Sequence, residues 1–217
     1  MTQQALPLPV APRFGRTDFL VSASNSAALA QVEGWPEWPA RALVLYGDPG
    51  SGKTHLAHLW CARAGAPLCD GRQLPPPEQV PATVAVDDAD CAPERLLLHL
   101  YNHCLERGGS VLLTMPAPPV AVPLALADLA SRLRALPAVG IAPPDDELLA
   151  AVLLKHFGDR GLGVKPEVVA YLVPRIERSM AAAAALAAAL DRRALAAGKP
   201  VSLRLARAVL AELGGDV

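Results

Sequence analysis

At 217 residues the chain can form one mid-sized domain and a smaller one, and its 52% hydrophobic content indicates a globular protein. Its 20 Lys and Arg residues nearly cancel its 21 Asp and Glu residues, so no global positive charge favours DNA or an anionic membrane. The four cysteines share no C-x-x-C spacing, and neither a cationic signal-peptide start nor an apolar run of about 20 residues occurs. Reduced thiols and a cytoplasmic location are therefore expected.

The first 13 residues are predicted to form an extended tail, because Pro7, Pro9 and Pro12 fix φ and remove backbone donors. From Arg41 onward, strand and helix signals alternate. Strand candidates cover residues 42–46, 83–86, 110–114 and 139–142, and helix patterns cover 53–64, 93–107 and 124–136. This alternation predicts an α/β domain over residues 14–143, with a parallel sheet covered by helices on both faces.

After residue 143 the strand signals stop, and residues 144–217 are predicted to form a small all-α domain. Asp145, Ser179 and Ser202 each precede a helical pattern in the position of an N-cap. Pro174 is expected to kink or split the helix that begins at Pro166.

A complete phosphate-binding motif lies between the first strand and its helix: Gly47-Asp48-Pro49-Gly50-Ser51-Gly52-Lys53-Thr54. Its glycines let backbone N–H groups turn towards phosphate oxygens, and the helix N-terminus adds partial positive charge. Lys53 is expected to reach the β and γ phosphates, and the Thr54 hydroxyl to ligate Mg²⁺. The sequence therefore predicts a P-loop that binds ADP or ATP with Mg²⁺.

The apolar strand at residues 83–86 ends in two carboxylates, Asp87 and Asp88, which is a Walker B pattern. Asp87 is predicted to hold the water shell of Mg²⁺, and Asp88 to act as a general base towards the attacking water. The alternative is a pair of solvated loop aspartates.

Other motifs are less specific. His99 and His103 have i, i+4 spacing, but no third ligand accompanies them, so solvated helix histidines are favoured over a metal site. Trp35 and Trp38 could stack on bases, although packing beneath a loop is favoured.

Taken together, these motifs resemble the DnaA-related AAA+ ATPases, most closely those of the Hda type, the regulatory inactivators of DnaA. The resemblance implies an AAA+ domain with a parallel five-stranded sheet, followed by a helical lid. The segments Asp18-Phe19-Leu20-Val21 and Ser24-Asn25-Ser26 resemble the family's adenine-wrapping region. Phe19, Val21 and Asn25 are accordingly expected at the nucleotide, together with His55 beside the P-loop.

The resemblance also assigns a role to Arg132, because Leu129-Ala130-Ser131-Arg132-Leu133 is similar to the segment that carries the family's arginine finger. Such an arginine stabilises charge on a neighbouring subunit's γ-phosphate. The alternative is a surface helix arginine.

Two residues depart from the family pattern. Pro116 stands where the sensor 1 acid is expected, and Ala181 where the sensor 2 arginine is expected. Weak intrinsic ATPase activity is therefore expected, and whether Thr114 or Arg178 compensates is left open.

The tail contains Gln3, Leu6, Leu8 and Pro9 in a pattern that resembles sliding-clamp-binding peptides, which implies the β subunit of DNA polymerase III as a partner. The alternative is an ordinary proline-rich tail. No helix-turn-helix unit follows the lid pattern, so sequence-specific DNA binding is not expected.

The resemblance implies a regulator of replication initiation that, with the DNA-loaded clamp, stimulates ATP hydrolysis by DnaA. One rival is an autonomous ATPase of the helicase-loader or transposition-helper type, and another is a module that sequesters DnaA. A homodimer is left open.

Overall fold

The structure is a computed structural model that describes residues 14–213. These residues divide into two compact units, one comprising residues 14–19 and 23–143, the other residues 20–22 and 144–213. The predicted tail and its clamp-binding peptide lie outside the described residues. No helix within residues 14–213 is long and apolar enough to cross a membrane.

The first unit is a parallel five-stranded sheet with helices on both faces, as the sequence predicts. Its strands follow the order β2-β3-β4-β1-β5. The elements in chain order are α1 Ser26–Glu33, β1 Ala42–Tyr46, α2 Lys53–Ala64, β2 Leu68–Asp70, β3 Val84–Asp87, α3 Glu94–Glu106, β4 Val111–Met115, α4 Ala127–Arg134 and β5 Ala138–Gly140. Four strands match the predicted positions closely, whereas β2 was not located from the sequence.

Continuous apolar sequence builds the central strands because both faces of the sheet are buried. Ala42 and Val44 of β1 pack into the core on one face, while Leu43 and Leu45 pack into the core on the other. The strand order brings the carboxyl ends of β3, β4 and β1 side by side. Loops that follow these strands therefore meet at one edge of the sheet.

The second unit is all helical: α5 Asp146–Asp159, α6 Pro166–Leu172, α7 Met180–Ala197 and α8 Leu203–Glu212. The predicted caps of three helices form. The side chains of Asp145, Ser179 and Ser202 accept hydrogen bonds from backbone N–H groups three residues later, at 2.7, 3.0 and 3.3 Å. Pro174 lies in a 3-10 turn, Val173–Arg175, that follows α6.

Candidate nucleotide site

The loop between β1 and α2 has the backbone shape that its glycines permit. Gly50 and Gly52 have φ angles of +74° and +106°, which side-chain-bearing residues rarely adopt. Gly47 is also sterically required, since a Cβ there would lie 2.6 Å from the Ile141 carbonyl oxygen. The loop therefore curves tightly into the N-terminus of α2, the arrangement that cradles phosphate groups.

Lys53 points back into this loop. Its ammonium group donates to the carbonyl oxygens of Gly47 at 2.7 Å and Asp48 at 3.0 Å, and only 8% of the residue is exposed. Burial lowers the pKa of Lys53, while the surrounding carboxylates of Asp88, Asp87 and Asp48 oppose that effect. The cation is thus held at the loop by groups that a phosphate can replace.

Ser51 is the residue whose environment best tests the fit of a ligand. It is 3% exposed, and its hydroxyl oxygen has no hydrogen-bond partner within the described residues. A buried hydroxyl without a partner is unfavourable by about 1–3 kcal/mol. The glycine curvature, the Lys53 ammonium and this hydroxyl all fit a phosphate-bearing ligand.

A chain of hydrogen bonds links the P-loop to β3 and β4. The Thr54 hydroxyl donates to one carboxylate oxygen of Asp87 at 2.8 Å, and the Thr114 hydroxyl donates to the other at 2.5 Å. Thr114 is fully buried and also accepts from the backbone N–H of Asp88 at 2.9 Å. These contacts bring Thr54 and Asp87 together, as a shared Mg²⁺ site requires, with Thr114 orienting Asp87.

Asp88 has a partner that the sequence did not predict. Its carboxylate pairs with the guanidinium of Arg72 at 2.6 Å, and this hydrogen bond raises the pKa of Arg72. Gly71 allows the approach, because a Cβ there would lie 2.2 Å from the Asp88 carbonyl oxygen. Asp88 itself has left-handed backbone angles, with φ 50° and ψ 49°. The candidate general base is therefore held by a cation from the segment after β2.

The predicted adenine-wrapping residues are distributed between the two units. Phe19 is buried in the first unit, where its ring meets the His55 ring edge-on at 5.2 Å beside Gly52. Asn25 is buried at the start of α1. Val21 belongs to the second unit and is 49% exposed. Phe19 and His55 thus lie beside the P-loop.

Arg132 lies in the last turn of α4, on the surface of the first unit. Its Nε donates to the Asp128 carboxylate at 3.1 Å, and 43% of its side chain is exposed. Arg178 lies in the second unit, where it pairs with Asp146 at 2.7 Å and donates to the Pro144 carbonyl oxygen. Neither contact decides the predicted roles of these arginines.

The less specific motifs have structural surroundings. Trp38 is buried and stacks on Trp60 at 5.4 Å, which confirms packing as the role of that ring. His99 is exposed, and no group of three or more potential metal ligands occurs within residues 14–213.

The fold and the loop geometry define a P-loop protein of the AAA+ class. Domain III of the replication initiation protein DnaA from Thermotoga maritima superposes with a TM-score of 0.79 at 17% identity, covering 94% of this chain and 98% of that one. AMPPCP-bound DnaA from Aquifex aeolicus gives 0.59 at 18%, over 71% of this chain and 58% of that one. A RuvB mutant from Thermotoga maritima gives 0.68 at 13%, over 88% and 67–68% respectively. At these identities the likeness shows the fold alone.

The second unit supplies the more specific finding. Residues 145–210 match the family model described as the Hda lid domain. The chain is a DnaA-related AAA+ protein of the Hda type. This combination of lid and fold supports a DnaA-related regulator of replication.

Proposed function

We propose that this protein binds an adenine nucleotide and, together with the DNA-loaded sliding clamp, stimulates ATP hydrolysis by the initiator DnaA. The observation that carries the proposal is an Hda-type lid at residues 145–210 attached to a P-loop AAA+ unit with an exposed arginine on α4. The protein acts as an activator of another ATPase more than as an enzyme itself.

The nucleotide is ADP or ATP with Mg²⁺. Its phosphates lie on the backbone N–H groups of residues 50–54, where Lys53 and the unpartnered Ser51 hydroxyl receive them. Thr54 and Asp87, already hydrogen-bonded to each other, hold the Mg²⁺, Asp87 through water. The bound ion neutralises charge on the phosphates. In solution the Aquifex aeolicus relative's ligand, AMPPCP, offers a non-hydrolysable probe for this site.

Arg132 acts in trans, on the γ-phosphate of ATP bound to DnaA. Its guanidinium is exposed and is paired only with Asp128 among the described residues. An exposed ion pair contributes about 0–1 kcal/mol, so exchanging Asp128 for a phosphate opposes docking only weakly. A fork of five N–H donors with permanent charge suits the γ-phosphate better than a lysine does.

The chain's own hydrolysis is slow. Asp88 is held by Arg72, Pro116 offers no side-chain polar contact, and Ala181 opens α7 without a cation. Thr114 is committed to Asp87 and to the backbone of Asp88, so it orients the Walker B segment. These features leave nucleotide binding intact because the P-loop contacts do not depend on them.

The clamp contact belongs to the tail, through Gln3, Leu6, Leu8 and Pro9. Two leucines can fill an apolar groove, and the neighbouring prolines reduce the ordering entropy lost on docking. Deleting residues 1–9 should abolish clamp pull-down and leave the thermal melt nearly unchanged. Retained clamp binding would move the contact to the folded units.

The direct test measures radiolabelled DnaA-ATP hydrolysis with and without this protein and DNA-loaded clamp. The proposal expects hydrolysis to accelerate only when both are present. Substantial turnover by this chain alone favours an autonomous ATPase. Complex formation with unchanged DnaA turnover favours sequestration.

A further inference from the structure

A groove of about 430 Å³ lies between α1 and α2, away from the P-loop. Its apolar wall is formed by Leu29 and Val32 of α1 and Leu59 of α2. Arg63, also in the lining, is nine residues after Thr54, or about 14 Å along α2 at a rise of about 1.5 Å per residue. The volume falls within the range of about 300–1,000 Å³ typical of ligand pockets.

Trp60 contributes an unused hydrogen-bond donor to this groove. It lines the groove and is fully buried, and its indole N–H has no acceptor within the described part of the chain. Trp38 stacks on its ring at 5.4 Å and Trp35 meets it edge-on at 6.1 Å, so the ring is fixed in position. A buried indole N–H ordinarily finds a partner. The vacancy calls for a ligand that carries an acceptor.

The charged lining residues favour an anionic ligand. Arg16 is neutralised by Glu33, whose carboxylate lies 3.1 Å from the Arg16 Nε. Arg63 has no carboxylate partner between residues 14 and 213; it donates to the Glu33 carbonyl oxygen and lies 5.8 Å from the Trp35 ring centroid. The groove therefore combines an apolar wall, a free donor and one uncompensated positive charge.

We propose that this groove docks a segment of a partner protein in which an apolar side chain lies next to an acidic one. The apolar side chain packs on Leu29, Val32 and Leu59, and the carboxylate pairs with Arg63. A backbone carbonyl of the segment accepts the Trp60 N–H. A nucleic-acid phosphate matches the charge but leaves the apolar wall uncovered, and a basic segment is repelled by Arg63. This surface is additional to the nucleotide site and to Arg132.

Tryptophan fluorescence offers a specific readout, because the chain's three tryptophans are Trp35, Trp38 and Trp60, all in this cluster. The full chain is titrated with a blocked Asp-Leu-Leu-Asp peptide, its Lys-Leu-Leu-Lys counterpart and its Asp-Ser-Ser-Asp counterpart. We expect a saturable emission change with the first peptide and at least about tenfold weaker binding of the other two, since a desolvated charge pair and two buried leucines each contribute more than about 1.4 kcal/mol. Equal binding of all three would overturn the proposal.

Charge reversal sharpens the test. Arg63→Glu should weaken the acidic peptide and strengthen the basic one, whereas Arg107→Glu, an exposed arginine on the segment after α3, should change neither. Arg63→Gln replaces it if the reversed variant does not melt cooperatively. Unchanged peptide preference in the Arg63 variants would contradict the assignment. Decanoate provides the last arm: if it saturates the same signal while the acidic peptide does not, the groove takes a small amphiphile and the peptide proposal is wrong.

Discussion

Replacing Lys53 by Ala should weaken ADP binding by about 10- to 150-fold. The ammonium donates to two loop carbonyls at 2.7 and 3.0 Å, so it already lies where phosphate oxygens arrive. Hydrogen bonds to charged groups contribute about 1.5–3 kcal/mol, and about 1.4 kcal/mol corresponds to a factor of ten in affinity. Stability should change little, because the variant loses these two bonds but no longer buries a cation.

Isothermal titration calorimetry with Mg²⁺-ADP measures this effect directly. Lys199→Ala, at an exposed lysine after α7, is the matched control and should bind as the parent does. Equal ADP affinity in the Lys53 variant and the parent would refute the P-loop assignment. A fall in both affinity and melting temperature would indicate that Lys53 supports the loop and not the ligand.

Three further predictions concern other groups. Ser51→Ala should raise the melting temperature of the nucleotide-free protein by about 2–4 °C for each kcal/mol of relieved desolvation, and the gain should shrink with ADP present; a lower melting temperature without nucleotide would contradict this. Arg72→Ala should release Asp88 and raise intrinsic ATP turnover by up to about fivefold at unchanged ADP affinity, with Arg72→Lys close to the parent; unchanged turnover would show that Asp88 is not restrained. Burial, assisted by nearby Arg160, lowers the pKa of His156, so the unfolded chain binds this proton at higher pH than the folded chain. Stability is therefore lost as pH falls from about 6.5 through the lower folded value, and His156→Gln should lose less melting temperature than the parent between about pH 7.5 and 5.5.

Local patterns predicted much of the fold. β1 was recognisable because both its faces are buried and its sequence is continuously apolar, and the lid helices because serine and aspartate caps precede them. β2 was missed because three partly exposed residues, Leu68–Asp70, carry no detectable periodicity. Missing β2 also hid Arg72, whose contact with Asp88 depends on the pairing of β2 with β3.

Long-range contacts explain the remaining differences. The helix expected over residues 124–136 spans only Ala127–Arg134, because the Glu94 carboxylate accepts the N–H groups of Ala125 and Leu126 and holds them outside the helix. The P-loop residues and Asp87 were located from their motifs, but the bridging role of Thr114 required the pairing of β3 with β4. Sequence spacing does not reveal such contacts.

Arg132 provides the most direct test of the proposed activator function. Three proteins are compared in a DnaA-ATP hydrolysis assay with DNA-loaded clamp: the parent, Arg132→Ala, and Arg134→Ala, which changes an exposed arginine in the same turn of α4. In GTPases an arginine finger accelerates hydrolysis by about 10³- to 10⁵-fold. We expect Arg132→Ala to fold, bind ADP and bind clamp as the parent does, yet fail to stimulate DnaA, while Arg134→Ala remains active. Full stimulation by Arg132→Ala would contradict the account.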